Sequence, residues 1–156
     1  MQFKISKELL VQIEQLIHQK ADNELEILLN DMHHADIAEI FDELESEEAI
    51  YIFKILDSEI TAEILTELED DVREKLLRGL SAKEIAEELD ELDTDDAADI
   101  IAELPQSKKE EVISELEDVE HAKDIVDLLR YDEDSAGGLM GKELVKVNEN
   151  WNVLTC

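Results

Sequence analysis

Apolar residues recur along this chain at the spacing of one helix face. Ile37, Ile40, Phe41 and Leu44 stand at i, i+3, i+4 and i+7, and so do Ala49, Ile52, Phe53 and Leu56. Farther on, Ala97, Ile100, Ile101 and Leu104 repeat that spacing. Each set predicts an amphipathic helix with one buried stripe, so Phe41 and Phe53 are assigned to the core. Polar residues between the sets predict where helices begin. Ser46 and Thr94 precede acidic first turns, Glu47-Glu48 and Asp95-Asp96, and are read as N-caps. Ser81 with Glu84, and Ser107 with Glu110, have capping-box spacing, and Gly79 is read as a helix stop.

The stretches are also copies of one another. A shift of 48 residues lays Met32–Asp70 on Leu80–Asp118 without a gap, pairing Ile37 with Ile85, Asp42 with Asp90, and Leu56 with Leu104. The run ELED recurs whole at Glu67–Asp70 and Glu115–Asp118. A period of this length points to stacked structural repeats, in which short helices gain neighbours by repetition. Each copy reads as three or four helices of about 9 to 13 residues, in line with ordinary helix lengths. The expected fold class is therefore all-α: a right- or left-handed superhelix of short stacked helices. Leading helices are expected between Ser6 and Asn30 and a closing one from Glu117 to Arg130. The first, carrying Ile5, Leu9, Ile13, Leu16 and Ile17, would cap one end.

The pattern changes after Arg130. A glycine pair, Gly137-Gly138, suits a tight turn, and Leu144-Val145-Lys146-Val147 alternates like a strand. A lone strand is not stable, so a second domain is expected to start here. The chain is thus divided into a helical domain, 1–130, and a junction with the truncated start of another domain, 131–156.

Charge narrows the function classes. Asp and Glu number 44 against 14 Lys and Arg, a formal net charge of −30. Such a chain repels phosphate backbones and anionic membrane surfaces, so nucleic acid is excluded as a partner. Cations and basic protein surfaces remain. The apolar fraction of 44% and the regular stripes argue against disorder. The single Cys156 forms no internal disulfide, and no apolar run approaches a membrane span. The fragment is expected to be soluble and cytoplasmic.

Candidate chemistry lies in the differences between the copies. Glu47 and Tyr51 of the first become Asp95 and Asp99 in the second. Asp95, Asp99 and Glu103 then fall at i, i+4 and i+8, opposite the apolar stripe. Like charges at that spacing cost a helix about 0.2–0.5 kcal/mol per pair, which an exposed, solubilising face can bear. The asymmetry also suits a cation: Mg²⁺ takes oxygen ligands, keeps several waters, and is held by one or two carboxylates. Other chemistries find no support. The four histidines, His18, His33, His34 and His121, lack zinc-site spacing, and His33-His34 reads as a loop or cap pair. The aspartates around Asp95 do not make an EF-hand loop, Gly137-Gly138 lacks the following Gly-Lys-Ser/Thr of a phosphate loop, and no catalytic pairing stands out, so no enzyme is expected.

Tyr131 followed by Glu133-Asp134-Ser135-Ala136-Gly137-Gly138-Leu139-Met140 and a strand-like Leu144–Val147 resembles the junction of MgtE-type magnesium transporters. HADIAEIFDEL (His34–Leu44) and LDTDDAADIIAELP (Leu92–Pro105) resemble the superhelix repeats of that family. Gly141-Lys142 departs from the pattern, where the family more often has threonines or a proline. The resemblance implies an acidic superhelix that precedes a pair of CBS domains and a membrane pore absent from this chain. It implies a homodimer in the full-length protein, on the cytoplasmic side of the cell membrane. It further implies regulatory Mg²⁺ held by carboxylates of the superhelix and of the CBS domains of the same polypeptide, favouring pore closure. The matching positions here are Asp95 and Asp99, with Glu63 from the first copy. The alternative is an acidic helical-repeat adaptor that grips a basic protein partner without metal.

Overall fold

The computed structural model describes residues 5–132 and 135–143. They form ten α-helices: α1 (Lys7–Gln19), α2 (Asp22–Asn30), α3 (His34–Glu43), α4 (Ser46–Phe53), α5 (Ser58–Glu67), α6 (Asp70–Gly79), α7 (Ala82–Leu89), α8 (Thr94–Glu103), α9 (Gln106–Glu115) and α10 (Val119–Leu128). The domain is all-α, as expected, and the 48-residue shift superimposes α3–α6 on α7–α10. Leu144–Val147, read as a strand, lies outside the described residues, as do Trp151 and Cys156.

The elementary step is shorter than the copy. From α2 to α9 a helix begins every twelve residues, and leucine keeps the same beat at Leu44, Leu56, Leu68, Leu80, Leu92, Leu104, Leu116 and Leu128. All of these but Leu44 are buried. Leu44, Leu68, Leu80, Leu104 and Leu116 end their helices in extended backbone. After the first four of them, the next residue, Glu45, Glu69, Ser81 or Pro105, is extended too and leads into the next helix. Two extended residues thus turn the chain while the leucine anchors the turn in the core. The eight-residue helices α4 and α7 reach Leu56 and Leu92 through one added turn. Removing each such leucine from water stabilises the fold by roughly 1.5–3 kcal/mol.

Alternate helices lie side by side. α3 packs on α5, α5 on α7 and α7 on α9, while α4 packs on α6 and α8 on α10. The core runs between these two rows, through Phe41, Ile52, Ile64, Leu76, Ile85 and Leu89, each at most 2% exposed. α1 packs on α2 and α4 and buries Ile13 and Ile17 there, so it covers one end as its stripe predicts.

Several helix boundaries differ from the cap readings. Ser46 and Thr94 are the first helical residues, and Glu45 and Asp93 precede them as N-caps. Glu45 wins at α4 because Glu48 reaches back to its amide (3.2 Å). Ser107 lies inside α9, whose N-cap is Pro105, and Gln106 bonds Glu110 instead. The Ser81 and Glu84 box forms as read, at 3.2 and 2.7 Å. Gly79 does end α6 but without a positive φ. Its missing side chain matters because a Cβ there would collide with Ile50.

Candidate functional site

The face of interest begins at the first turn of α8. Thr94, 2% exposed, donates its amide to Glu143 Oε1 at 2.8 Å and its hydroxyl to Oε2 at 3.2 Å. The Lys142 amide donates to Thr94 Oγ1 at 3.0 Å. The Lys142 ammonium bonds Asp127 on α10 and lies 3.8 Å from Asp124. The junction therefore returns onto α8 and α10. Burial pushes the Glu143 carboxyl up, yet the Thr94 hydrogen bonds hold it below its usual range.

This return places Gly141 over Asp95: a Cβ at Gly141 would lie 3.5 Å from Asp95 Oδ1 and 3.0 Å from Glu143 Oε2. Beside them stands Asp96. Burial raises its pKa first, and the charges of Asp95, Asp93, Glu63 and Glu143 raise it further. Glu63, from α5 of the first copy, thus shares one electrostatic neighbourhood with Asp95 of the second. Asp99, one turn beyond Asp95, lines an adjoining cavity of about 530 Å³ with Asp96, Asp70, Arg73 and Glu103.

Glu103, the third member of the acidic stripe, has a different employment. Arg73 Nε and Nη2 reach its two oxygens at 3.0 and 2.5 Å. The same guanidinium reaches Asp70 at 2.8 Å and the carbonyls of Leu68 and Leu65 at 2.9 and 3.3 Å. The first copy keeps a carboxylate at Glu47 but carries Tyr51 in place of the second aspartate. Tyr51, the counterpart of Asp99, donates its hydroxyl to Asp22 of α2, so that position serves internal docking.

Glu63 and Asp95 thus both act on Asp96, and Asp99 lines the cavity beside it, while Glu63 borders a separate cavity with His34 and Glu59. Among the described residues, however, no three His, Cys, Asp or Glu side chains form a group that could hold a metal ion. Oxygen ligands are the right chemistry for Mg²⁺, and the remaining ligands would have to be water or another domain. Glu143, Lys142 and Asp96 escaped the sequence reading. Only Asp96 carried a signal, as part of the acidic first turn. The histidines serve the fold: His33 Nδ1 accepts the Ala35 amide at 3.3 Å, and His121 Nε2 lies 3.1 Å from the Leu89 carbonyl.

The described residues form an acidic stack of short α-helices. Residues 32–134 match the sequence profile of the MgtE intracellular N domain, and the chain belongs to that family. A solved structure of the soluble part of a magnesium transporter shares the fold at a TM-score of 0.78 and 24% identity over 89% of this chain. The cytosolic domain of the Mg²⁺ channel MgtE, solved in complex with ATP, aligns at a TM-score of 0.75 and 27% identity over 85% of it. The chain spans about half the length of both, 55% and 54%. No curated protein matches it. Among the described residues, no helix is long and apolar enough to cross a membrane.

Proposed function

We propose that this chain is the cytosolic regulatory domain of a magnesium transporter and senses intracellular Mg²⁺ through Asp95, Asp99 and Glu63. The observation that carries the reading is that the charges of Glu63 and Asp95, from the two copies, both act on Asp96. Residues 131–156 are the junction and the start of a CBS domain, and the CBS pair of the same polypeptide supplies the facing carboxylates. The whole protein is a homodimer with a membrane pore beyond this chain. Without Mg²⁺, a chain of net charge −30 is driven from other carboxylates, and the assembly is loose. Hydrated Mg²⁺ between the faces removes that repulsion and favours the compact state with the pore closed. Such control requires each ion to bind the compact state more tightly than the loose one.

The test is small-angle scattering of the chain extended through its CBS pair, titrated with Mg²⁺ at constant ionic strength. Compaction is expected in the parent and not in an Asp95→Asn, Asp99→Asn double mutant. Absence of compaction in both would favour an adaptor that binds a basic protein. Equal compaction in both would move the sensing carboxylates off α8.

A further inference from the structure

One carboxyl group lies where the repeat calls for a hydrocarbon. At twelve-residue spacing, Ile40, Ile52, Ile64, Leu76, Ile100 and Val112 are all buried, and the position between Leu76 and Ile100 is Glu88. Its residue is 8% exposed, on α7 and facing α5. The carboxyl Oε2 lies 2.5 Å from Thr61 Oγ1, whose residue is 0% exposed. Among the described residues, no cation pairs with it; the hydrogen bond it makes is to Thr61. Lys54, at the end of α4, borders the same cavity but is held by Glu84 at 2.7 Å. Asp57 and Ser58, at the head of α5, line that cavity as well. From α9, Lys108 reaches the Leu80 carbonyl at the opposite end of α7. The charges that act on Glu88 are Glu87 on its own helix and Glu91 just beyond that helix, both repulsive.

Hydrogen-bond inventory decides which form fits. Thr61 has one proton and three acceptors in reach: Glu88, the Asp57 carbonyl at 3.2 Å and the Ser58 carbonyl at 3.3 Å. If Glu88 is neutral, its own O–H donates to Thr61, and the Thr61 proton goes to a backbone carbonyl. If it is ionised, the Thr61 proton must leave the backbone to serve the carboxylate, and a buried charge stays without a cation.

We propose that Glu88 is a proton-operated switch at the seam between α5 and α7, sealing it when neutral and loosening it when ionised. The proposal is independent of Mg²⁺ binding. Burial pushes the Glu88 carboxyl up to about 7 from 4.5, with Glu87 and Glu91 adding to the rise. The folded chain therefore holds an extra proton between those values, and stability falls across that window as pH rises. Proton linkage over pH 5.5 to 8 makes the loss in the folding equilibrium constant on the order of 30-fold.

The test is urea denaturation of the 156-residue chain at pH 5.5 and 8, beside Glu88→Gln and Glu88→Ile. Isoleucine is the repeat's own residue at this position, and Thr61 keeps its backbone acceptors in either variant. The expected result is a loss in the parent exceeding that of both variants by about the linkage factor of 30. Amide exchange, corrected for intrinsic rates, should quicken at pH 8 in α5 and α7 of the parent alone. Parallel pH dependence in parent and variants overturns the switch, and so does failure of both variants to fold at pH 5.5.

Discussion

Glu143 caps α8 from outside the helix. Its carboxylate takes both the amide and the hydroxyl of Thr94, a residue 49 positions earlier in the chain. A helix start leaves amides without partners inside the helix, and Asp93, the local N-cap, makes no side-chain bond there. Glu143→Ala should cost about 1 kcal/mol, the usual worth of an N-cap oxygen. Because the folded Glu143 carboxyl is depressed, this contribution is present above its ordinary 4.5 and fades as pH falls below it. Urea unfolding at pH 7 and at acid pH checks both statements.

Arg73 is the staple between α6 and α8. Its side chain is 11% exposed, and its fork holds both Glu103 oxygens together with two backbone carbonyls. Lysine keeps the charge but not the planar fork. Arg73→Lys should lower stability by about 1–3 kcal/mol, from carbonyls left short of a donor. Thermal unfolding measures the loss, and exchange at the start of α8 should rise with it.

Lys20 is the one non-glycine among the described residues with positive φ, at 52°. It closes α1 in left-handed geometry while its amide and that of Ala21 bond Ile17 and Leu16 at 3.0 Å each. A side chain costs about 1 kcal/mol in that geometry, and glycine escapes it. Greater freedom of glycine in the unfolded chain offsets part of this gain. Lys20→Gly should therefore raise the unfolding midpoint modestly, and a decrease would show that the lysine side chain stabilises this end.

Glu84 joins a cap to an ion pair. The Lys54 hydrogen bond first, then the Ser81 amide, lowers its carboxyl to about 2. The contribution is full above 4.5 and lost as pH falls toward 2. The pair is partly solvated, so it is worth at most about 1 kcal/mol. Glu84→Gln should thus be less stable than the parent at pH 7 and equal to it near pH 2, as denaturation at the two values would show.

Much of the fold was legible before any coordinates. The i, i+3, i+4, i+7 stripes of Ile37, Ile52 and Ile100 placed α3, α4 and α8, and the 48-residue shift paired the copies. The shorter step was equally visible as a leucine every twelve residues, but the larger period masked it. The cap readings slipped by a residue at Ser46 and Thr94: Glu48 reaches back to Glu45 at α4, and at α8 the Thr94 amide goes to Glu143 from far along the chain. Of the candidate site, the α8 carboxylates showed themselves as a difference between copies. Glu63 entered only through resemblance, and nothing local marked Glu143 or Lys142.

The sequence by itself determined the helices, their order and the face each one buries, since these depend on neighbours within a few positions. Tertiary structure decided which polar side chains meet: Arg73 with Glu103, Thr94 with Glu143, Thr61 with Glu88. The first and last of these depend on how each helix is rotated against the second one after it. That rotation is set by packing of the whole stack, to which no single stripe gives access.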